Sequence, residues 1–318
     1  MRVAFMGSPP FSVSILQALV DAGFEVVGVG TQPDRPKGRG RSLTPSAVAV
    51  LADELGLPTV KPAGNKDPVL NQALRQWQPD VSVVAAFGLI LLEETLGIAR
   101  HGSINVHASL LPRYRGASPI QAAIINGETE SGVTTMQMDA GLDTGDILLK
   151  ASIPITQEMT AGELEESLSE VGARLTVETL KQLEAGTLKR TPQDHSQATI
   201  TRLMRPEDGY ILWNLPAIET YNRIRGCTPR PGSKAFLDGK PLRIHKAHLA
   251  NVTSESPPGE ASVTERGTLL VTSGDGQCVE LLEVQPAGKA SMQVQDFLRG
   301  LRLGQADILK FDQQPPET

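Results

Sequence analysis

The densest group of chemically capable side chains lies in Ser103-Ile104-Asn105-Val106-His107-Ala108-Ser109-Leu110-Leu111-Pro112-Arg113-Tyr114-Arg115-Gly116. Asn105 and His107 stand two residues apart at the end of an apolar run that reads as a strand, and a period of two puts their side chains on one face. An amide can donate to a developing oxyanion and an imidazole can take or hold a proton, so the pair suits acyl transfer. Taken alone, Asn-x-His is short, and a capped strand end with a satisfied histidine is the plainer account of it. A second stretch, Met138 to Ile147, sets Asp139, Asp143 and Asp146 with Gly141 and Gly145 between two predicted strands. A calcium loop would need a bidentate glutamate at its twelfth position, where Lys150 stands, so the carboxylates read as a solvated turn or as partners of the imidazole. A carboxylate facing the ring would orient it and favour its charged form, and Asp143 is the candidate. A third stretch, Asp34 to Thr44, carries Arg35, Lys37, Arg39 and Arg41 against one anion among glycine and proline. It reads as a mobile basic loop leaving a strand end, either solvated or poised to attract phosphate.

Other arrangements exclude chemistry. The first strand-to-helix turn, Gly7-Ser8-Pro9-Pro10, lacks the later glycines of a dinucleotide fingerprint, and its prolines remove amide donors. The chain contains no Walker A run. His101, His195, His245 and His248 share no ligand spacing with a cysteine or carboxylate, so no metal is expected and these histidines read as surface or structural. Cys227 and Cys278 make no disulfide framework and read as buried small hydrophobes in a reducing compartment. Arg223, Arg225, Arg230 and Lys234, with Arg299, Arg302 and Lys310, could form only a one-sided nucleic-acid surface, because the whole chain has a net charge of -6.

The elements that must position these residues follow from periodicity. At 318 residues, with 40% hydrophobic and 21% charged, the length suggests roughly two domains, each with its own core. Apolar runs at 2–7, 25–30, 58–60, 81–86 and 103–106 alternate with helical patterns at about 11–20, 46–55, 67–76, 91–97 and 117–127. Strands apolar on both faces, alternating with helices, predict an α/β doubly wound, mostly parallel sheet whose ligand lies beyond the strand C-termini. Strands at 133–138 and 147–153 follow, then a helix over 160–185 with Thr160 as N-cap, Glu163 as its capping-box partner and Gly186 at its end. Residues 186–208 carry no apolar period and read as a linker. Beyond a helix at 217–225, short strands at 233–249, 259–264, 267–272 and 277–285, with turns such as Asp238-Gly239, and a helix near 291–301, suggest a small antiparallel β-barrel of the OB-like kind. The short N-terminal apolar run is broken by proline, and no stretch approaches the roughly 20 apolar residues of a membrane span, so a cytoplasmic protein is expected.

Taken together, Asn105-x-His107, the run from Ser109 to Gln121 and the segment Asp139 to Asp146 resemble the 10-formyltetrahydrofolate-dependent formyltransferases. The resemblance runs from the Gly7-Ser8-Pro9 turn through Pro33-Asp34-Arg35-Pro36 to Pro231-Gly232. It is loosest at Met204 to Gly209 and at Arg225 to Arg230, where Cys and Arg replace aromatic or small residues. A single-domain glycinamide ribonucleotide formyltransferase would lack the last third. The resemblance implies a Rossmann-like, folate-binding catalytic domain over 1–189, a linker over 190–208 and a tRNA-contacting β-barrel domain over 209–318. It implies formyl transfer from 10-formyltetrahydrofolate to the α-amine of methionine on initiator tRNA, by a monomer that needs neither metal nor membrane. The catalytic residues it implies are Asn105, His107 and Asp143. Its folate site falls on Phe87, Gly88, Leu89, Ile90 and Leu91, on Ser109, Leu110, Leu111 and Pro112, and on Asp139, Ala140, Gly141 and Leu142. Its tRNA-entering loop falls on Arg35, Lys37, Arg39 and Arg41. An amino-sugar nucleotide formyltransferase would share the core, a deformylating hydrolase would use the same three residues with water, and a non-catalytic RNA-binding module would need none of them.

Overall fold

The computed structural model describes residues 1–37, 42–264, 267–301 and 309–313. The chain divides into two units, the first made of Met1–Pro119, Glu130–Ile153 and Glu165–Thr201, the second of Ile120–Thr129, Pro154–Leu164 and Arg202–Thr318.

In the first unit the strand Arg2–Gly7, buried along nearly all its length, lies inside a seven-stranded sheet. Glu25–Gly30 and then Thr59–Val60 extend the sheet on one side, and Val81–Ala85 and then Ser103–His107 extend it on the other, all parallel. Glu130–Gln137 joins antiparallel to Ser103–His107, and Ile147–Pro154 forms the far edge. The chain therefore winds outward from Arg2–Gly7 in both directions, and the switch point falls between it and Val81–Ala85, where ligands of such sheets sit. The helix Pro10–Asp21 places proline in its first turn, where no amide is needed, and buries Phe11, Ile15, Leu16 and Leu19. Ser46 caps the helix Ala47–Glu54 by accepting from Ala49 N at 3.0 Å. Trp77 packs beside Leu70, Leu74 and Phe87 at the edge of this unit's apolar core. Thr160 and Glu163 form the expected capping box of Ala161–Glu184: Glu163 accepts from Thr160 N at 2.8 Å and Thr160 Oγ1 accepts from Glu163 N at 3.3 Å.

The second unit is antiparallel. Its sheet runs in the order Ser233–Leu237, Lys240–Thr253, Gln277–Pro286, Leu269–Thr272, Glu260–Val263 and Leu309–Lys310. A bridge between Leu237 and Phe311 joins the two edges, so the sheet curls into a barrel, as the regular spacing of short strands predicts. The span 233–249 turns back on itself at Asp238-Gly239, as that pair predicts: both residues take positive φ, 50° and 71°, in the tight turn of a hairpin. Trp213 is fully buried, its ring 5.3 Å from that of Phe311. Arg225, where the family resemblance is loose, is buried and donates to the carbonyls of Thr156 and Met159 at 3.2 and 3.1 Å, while burial pushes the Cys227 thiol up to about 11.

The segment read as a linker over 190–208 is divided in the structure. Residues through Thr201 belong to the first unit: Thr191 bridges Ile147, Gln193 is buried, and Ile200–Thr201 pairs in parallel with Arg115–Gly116. Polar residues without an apolar period resemble a solvated connector, yet here their hydrogen-bonding groups fasten the segment down. From Arg202 onward the second unit begins. Asp208 accepts from Arg202 Nη1 at 2.7 Å and from Arg205 N at 2.6 Å. The Arg202 guanidinium holds the Asp208 carboxyl well below the usual range, at about 2. A carboxyl depressed on folding stabilises above its unfolded pKa of about 3.9, and that contribution fades as pH falls toward the folded value. The urea midpoint of wild type should therefore exceed that of Asp208→Asn at pH 6, and the two should converge as pH is lowered from about 4 to 2. A constant gap across that window would remove the charge from the account.

Candidate active site

Asn105 and His107 project from the strand Ser103–His107 on the same face, held in register against Met136 and Thr134 of the neighbouring antiparallel strand. That neighbour ends at Gln137, and the loop leaving it carries Asp143 back to both side chains. Asn105 Nδ2 donates to Asp143 Oδ1 at 3.3 Å, and His107 Nδ1 lies 3.7 Å from Asp143 Oδ2. Gly116 N donates to the same Oδ2 at 2.7 Å. The side chains of His107 and Asp143 are only 7% and 13% exposed, so the carboxylate works in reduced solvent and its partners are few. His107 Nε2 is 2.8 Å from the Tyr114 carbonyl, which can only accept, so that nitrogen carries hydrogen and Nδ1 is the ring atom left to hold or pass a proton.

Of the three carboxylates in the loop, the structure gives each a different place. Asp139 accepts from Gly141 N at 3.0 Å and Thr144 Oγ1 at 2.7 Å, which closes its own turn. Asp146 returns the chain to the sheet, its carbonyl accepting from Gln137 N at 2.9 Å. Only Asp143 reaches Asn105 and His107. Its backbone has φ 51°, a left-handed conformation that aspartate adopts more readily than most residues.

The segment Ser109 to Pro112 is stitched from beneath. Thr134 Oγ1 donates to the Ser109 carbonyl at 2.7 Å and accepts from Leu111 N at 3.1 Å, and Lys150 donates to the Leu111 carbonyl. Leu111 is fully buried beside Met136 and Ile147, and Ser109 is buried with its hydroxyl donating to the Arg113 carbonyl at 2.7 Å. Both were expected among folate contacts; in this structure their side chains shape the loop from inside, and Leu110 and Pro112 are the partly exposed members.

At the switch point, Ser8 Oγ and Gln32 Nε2 donate to the Phe87 carbonyl at 3.2 and 3.1 Å, fixing the start of the loop Phe87 to Leu91. Phe87 itself is buried in the core, while Ile90 is 74% exposed and, on the Asp139 to Asp143 loop, Leu142 is 58% exposed. A pocket bounded by Pro62, Asn65, Asn71, Phe87, Ile90 and Leu91 lies against the first of these loops. Gly88 takes positive φ there. Ala140 and Gly141 are exposed at the tip of the second loop.

The basic stretch differs from the irregular loop expected of it. Arg35–Lys37 and Ser42–Thr44 pair as a short antiparallel ribbon, and Asp34, its one anion, pairs with Lys61 at 2.5 Å. Arg35 is exposed; Arg39 and Arg41 lie outside the described residues.

Residues that the sequence reading missed complete the surroundings. Gln193, Arg115, Thr199 and the backbone of Tyr114 and Gly116 all sit one step behind the three side chains. Backbone groups leave no trace in residue type, and Gln193 and Thr199 stood in a segment without periodicity. Buried Arg115 falls inside the Ser103 to Gly116 run, where residue type alone does not set it apart from Arg113.

Family models match two stretches of the chain: Formyl transferase over residues 1–180 and Formyl transferase, C-terminal domain, over residues 203–302. A methionyl-tRNA formyltransferase of Geobacter sulfurreducens is 45% identical over 303 residues, covering 95% of each chain. One from Desulfotalea psychrophila is 44% identical over 310 residues, 98% of this chain and 96% of its own. Among solved structures, an N-formyltransferase from Helicobacter canadensis, in complex with folinic acid and dTDP-3-aminofucose, superposes with a TM-score of 0.67 at 19% identity, covering 89% of this chain and 98% of its own. That likeness is one of fold.

Proposed function

The chain belongs to the formyl transferase family, and on that premise we propose that it moves the formyl group of 10-formyltetrahydrofolate to the α-amine of methionine carried on initiator tRNA, for translation initiation. The observation that carries this reading is the 45% identity to methionyl-tRNA formyltransferase across both family domains. An acceptor amine must be neutral to attack, the formyl oxygen gains negative charge as it does so, and the amine proton must leave and be returned to the donor nitrogen as its bond to the formyl carbon breaks. Asn105 meets the second need as a donor to the oxygen, since its 3.3 Å bond to Asp143 is long enough to be exchanged for a stronger one. His107 meets the third through Nδ1, with Nε2 anchored on the Tyr114 carbonyl. Asp143 orients the ring and the amide together, so the two act at one carbon.

The chain's own surfaces suit a folate. Exposed Ile90 and Leu142 offer apolar contact to a flat ring, and the amides and carboxylates nearby offer the few polar contacts that orient it. The bound folate supplies an activated formyl group on nitrogen. Phe87 to Leu91, Leu110, Pro112 and Asp139 to Leu142 are the contact residues in this reading, with Ser109 and Leu111 supporting them. Arg35, Lys37, Arg39 and Arg41 are the cations assigned in this reading to the phosphates of the tRNA acceptor. The three reacting side chains come from one chain, which supports a monomer, and a tRNA acceptor supports action in the cytoplasm. Among the described residues no helix is long and apolar enough to cross a membrane.

The test offers the protein 10-formyltetrahydrofolate with either methionyl-tRNA or a dTDP-linked amino sugar and follows the one-carbon unit. Formylation of the tRNA is expected; transfer to the sugar nucleotide alone would assign the other acceptor. In the same assay, replacing the four cations of residues 35–41 with alanine should raise KM for tRNA and flatten the salt dependence of kcat/KM. Each lost phosphate contact reduces the logarithmic slope by roughly 0.7–0.9, and an unchanged slope would take these residues off the tRNA.

A further inference from the structure

Gln193 lies in the polar stretch after the long helix and is 5% exposed. Its Nε2 donates to the carbonyls of Asp143 and Gly145 at 2.9 and 2.7 Å. Its Oε1 accepts from Arg115 Nε and Nη2 at 3.1 and 2.7 Å. Both N–H bonds and both lone pairs of the amide are therefore committed, which is the full capacity of the group. The two carbonyls belong to the loop that carries Asp143. Arg115 stands between Tyr114, whose carbonyl anchors His107, and Gly116, whose N–H holds the Asp143 carboxylate. One buried amide thus grips the backbone of the Asp143 loop and, through the Arg115 side chain, ties it to the segment whose backbone anchors His107 and the carboxylate.

The residues that follow grip the second segment again. Tyr114 N donates to Thr199 Oγ1 at 2.8 Å, Arg115 N to the Thr199 carbonyl at 2.8 Å and Ala117 N to the Thr201 carbonyl at 3.2 Å. At Gly116, with φ 92°, a Cβ would stand 2.5 Å from the Thr201 carbonyl oxygen, so this pairing tolerates no side chain there.

We infer that Gln193 is a positioning residue for formyl transfer, acting through Asp143 by fixing the loop that presents it. The inference rests on the role proposed above for Asp143. A misplacement of about 1 Å at a reacting group costs on the order of 100-fold in rate, which bounds the effect. Gln193→Glu keeps an oxygen for Arg115 and removes both N–H donors; Gln193→Met keeps the volume and removes every polar contact. Each should lower kcat about 10- to 100-fold, leave KM for 10-formyltetrahydrofolate within about twofold, and retain the far-ultraviolet circular dichroism of wild type. Should the glutamate variant fail to fold, the methionine variant carries the comparison. In an Asp143→Asn background, Gln193→Met should cost less than about threefold more, because the group it positions is already gone. Wild-type kcat in the folded single variant overturns the inference, as does an equal loss in both backgrounds. If Asp143→Asn alone turns over like wild type, the reading of Asp143 fails instead, and the two failures are told apart by which variant keeps its activity.

Discussion

Replacing Asp143 with asparagine should lower kcat by about 10²- to 10³-fold while the protein stays folded. The substitution keeps an oxygen for Gly116 N, which donates at 2.7 Å, and it keeps the volume of a side chain that is 13% exposed, so the loop has little reason to move. What it removes is charge beside the Nδ1 of His107 and, with one oxygen kept for Gly116 N, the oxygen that accepts from Asn105 Nδ2. An aspartate hydrogen-bonded directly to a catalytic histidine is worth about 10⁴ in kcat when changed to asparagine. The separation here is 3.7 Å, beyond a hydrogen bond, and the expected loss is correspondingly smaller. KM for the folate should change little, since the carboxylate acts on groups that handle the reaction and not on the apolar contacts. Steady-state kinetics with methionyl-tRNA, together with a thermal melt, decide it: full turnover would reduce Asp143 to a turn residue.

Gly145→Ala should abolish most activity by a different route. A Cβ at this position would lie 1.7 Å from the Gln137 carbonyl oxygen and 2.9 Å from its carbon, both backbone atoms of a sheet strand. Neither can yield cheaply, so the loop must lift away, carrying with it Asp143 and the Gly145 carbonyl that Gln193 holds at 2.7 Å. Overpacking of this kind costs about 1–3 kcal/mol, which for a unit of this size is a fall of about 2–4 °C in Tm per kcal/mol. The kcat loss should match or exceed that of Asp143→Asn, with stability lost as well. A variant with wild-type Tm and kcat would show that the loop has slack that the packing denies.

The contrast between these two residues shows what residue types can convey. Strands and helices are legible because apolar side chains repeat with periods of two and 3.6, and the alternation by itself puts Asn105 and His107 on one face. Asp238-Gly239 and the Thr160–Glu163 box were legible because turn and cap chemistry is local. Asp143 was distinguishable from Asp139 and Asp146 only as a choice; the distinction is made by which backbone amides each can reach, and amides are common to every residue. Residues 190–201 were illegible for the same reason, since Gln193, Thr199 and Thr201 act singly through hydrogen bonds and bury no apolar stripe. The pairing of Arg35–Lys37 with Ser42–Thr44 was hidden by the glycine, proline and charge around it.

Each unit of the fold contains one of the chain's two tryptophans, Trp77 at the edge of the first core and Trp213 sealed beside Phe311 in the second. Excited at the red edge, where indole absorbs and the phenols of Tyr114, Tyr210 and Tyr221 do not, the protein therefore has a single emitter per unit. A chain with Trp77→Phe glows only from the barrel, and one with Trp213→Phe glows only from the unit that carries Asn105, His107 and Asp143, so the melting of either half can be watched in the intact protein without a label.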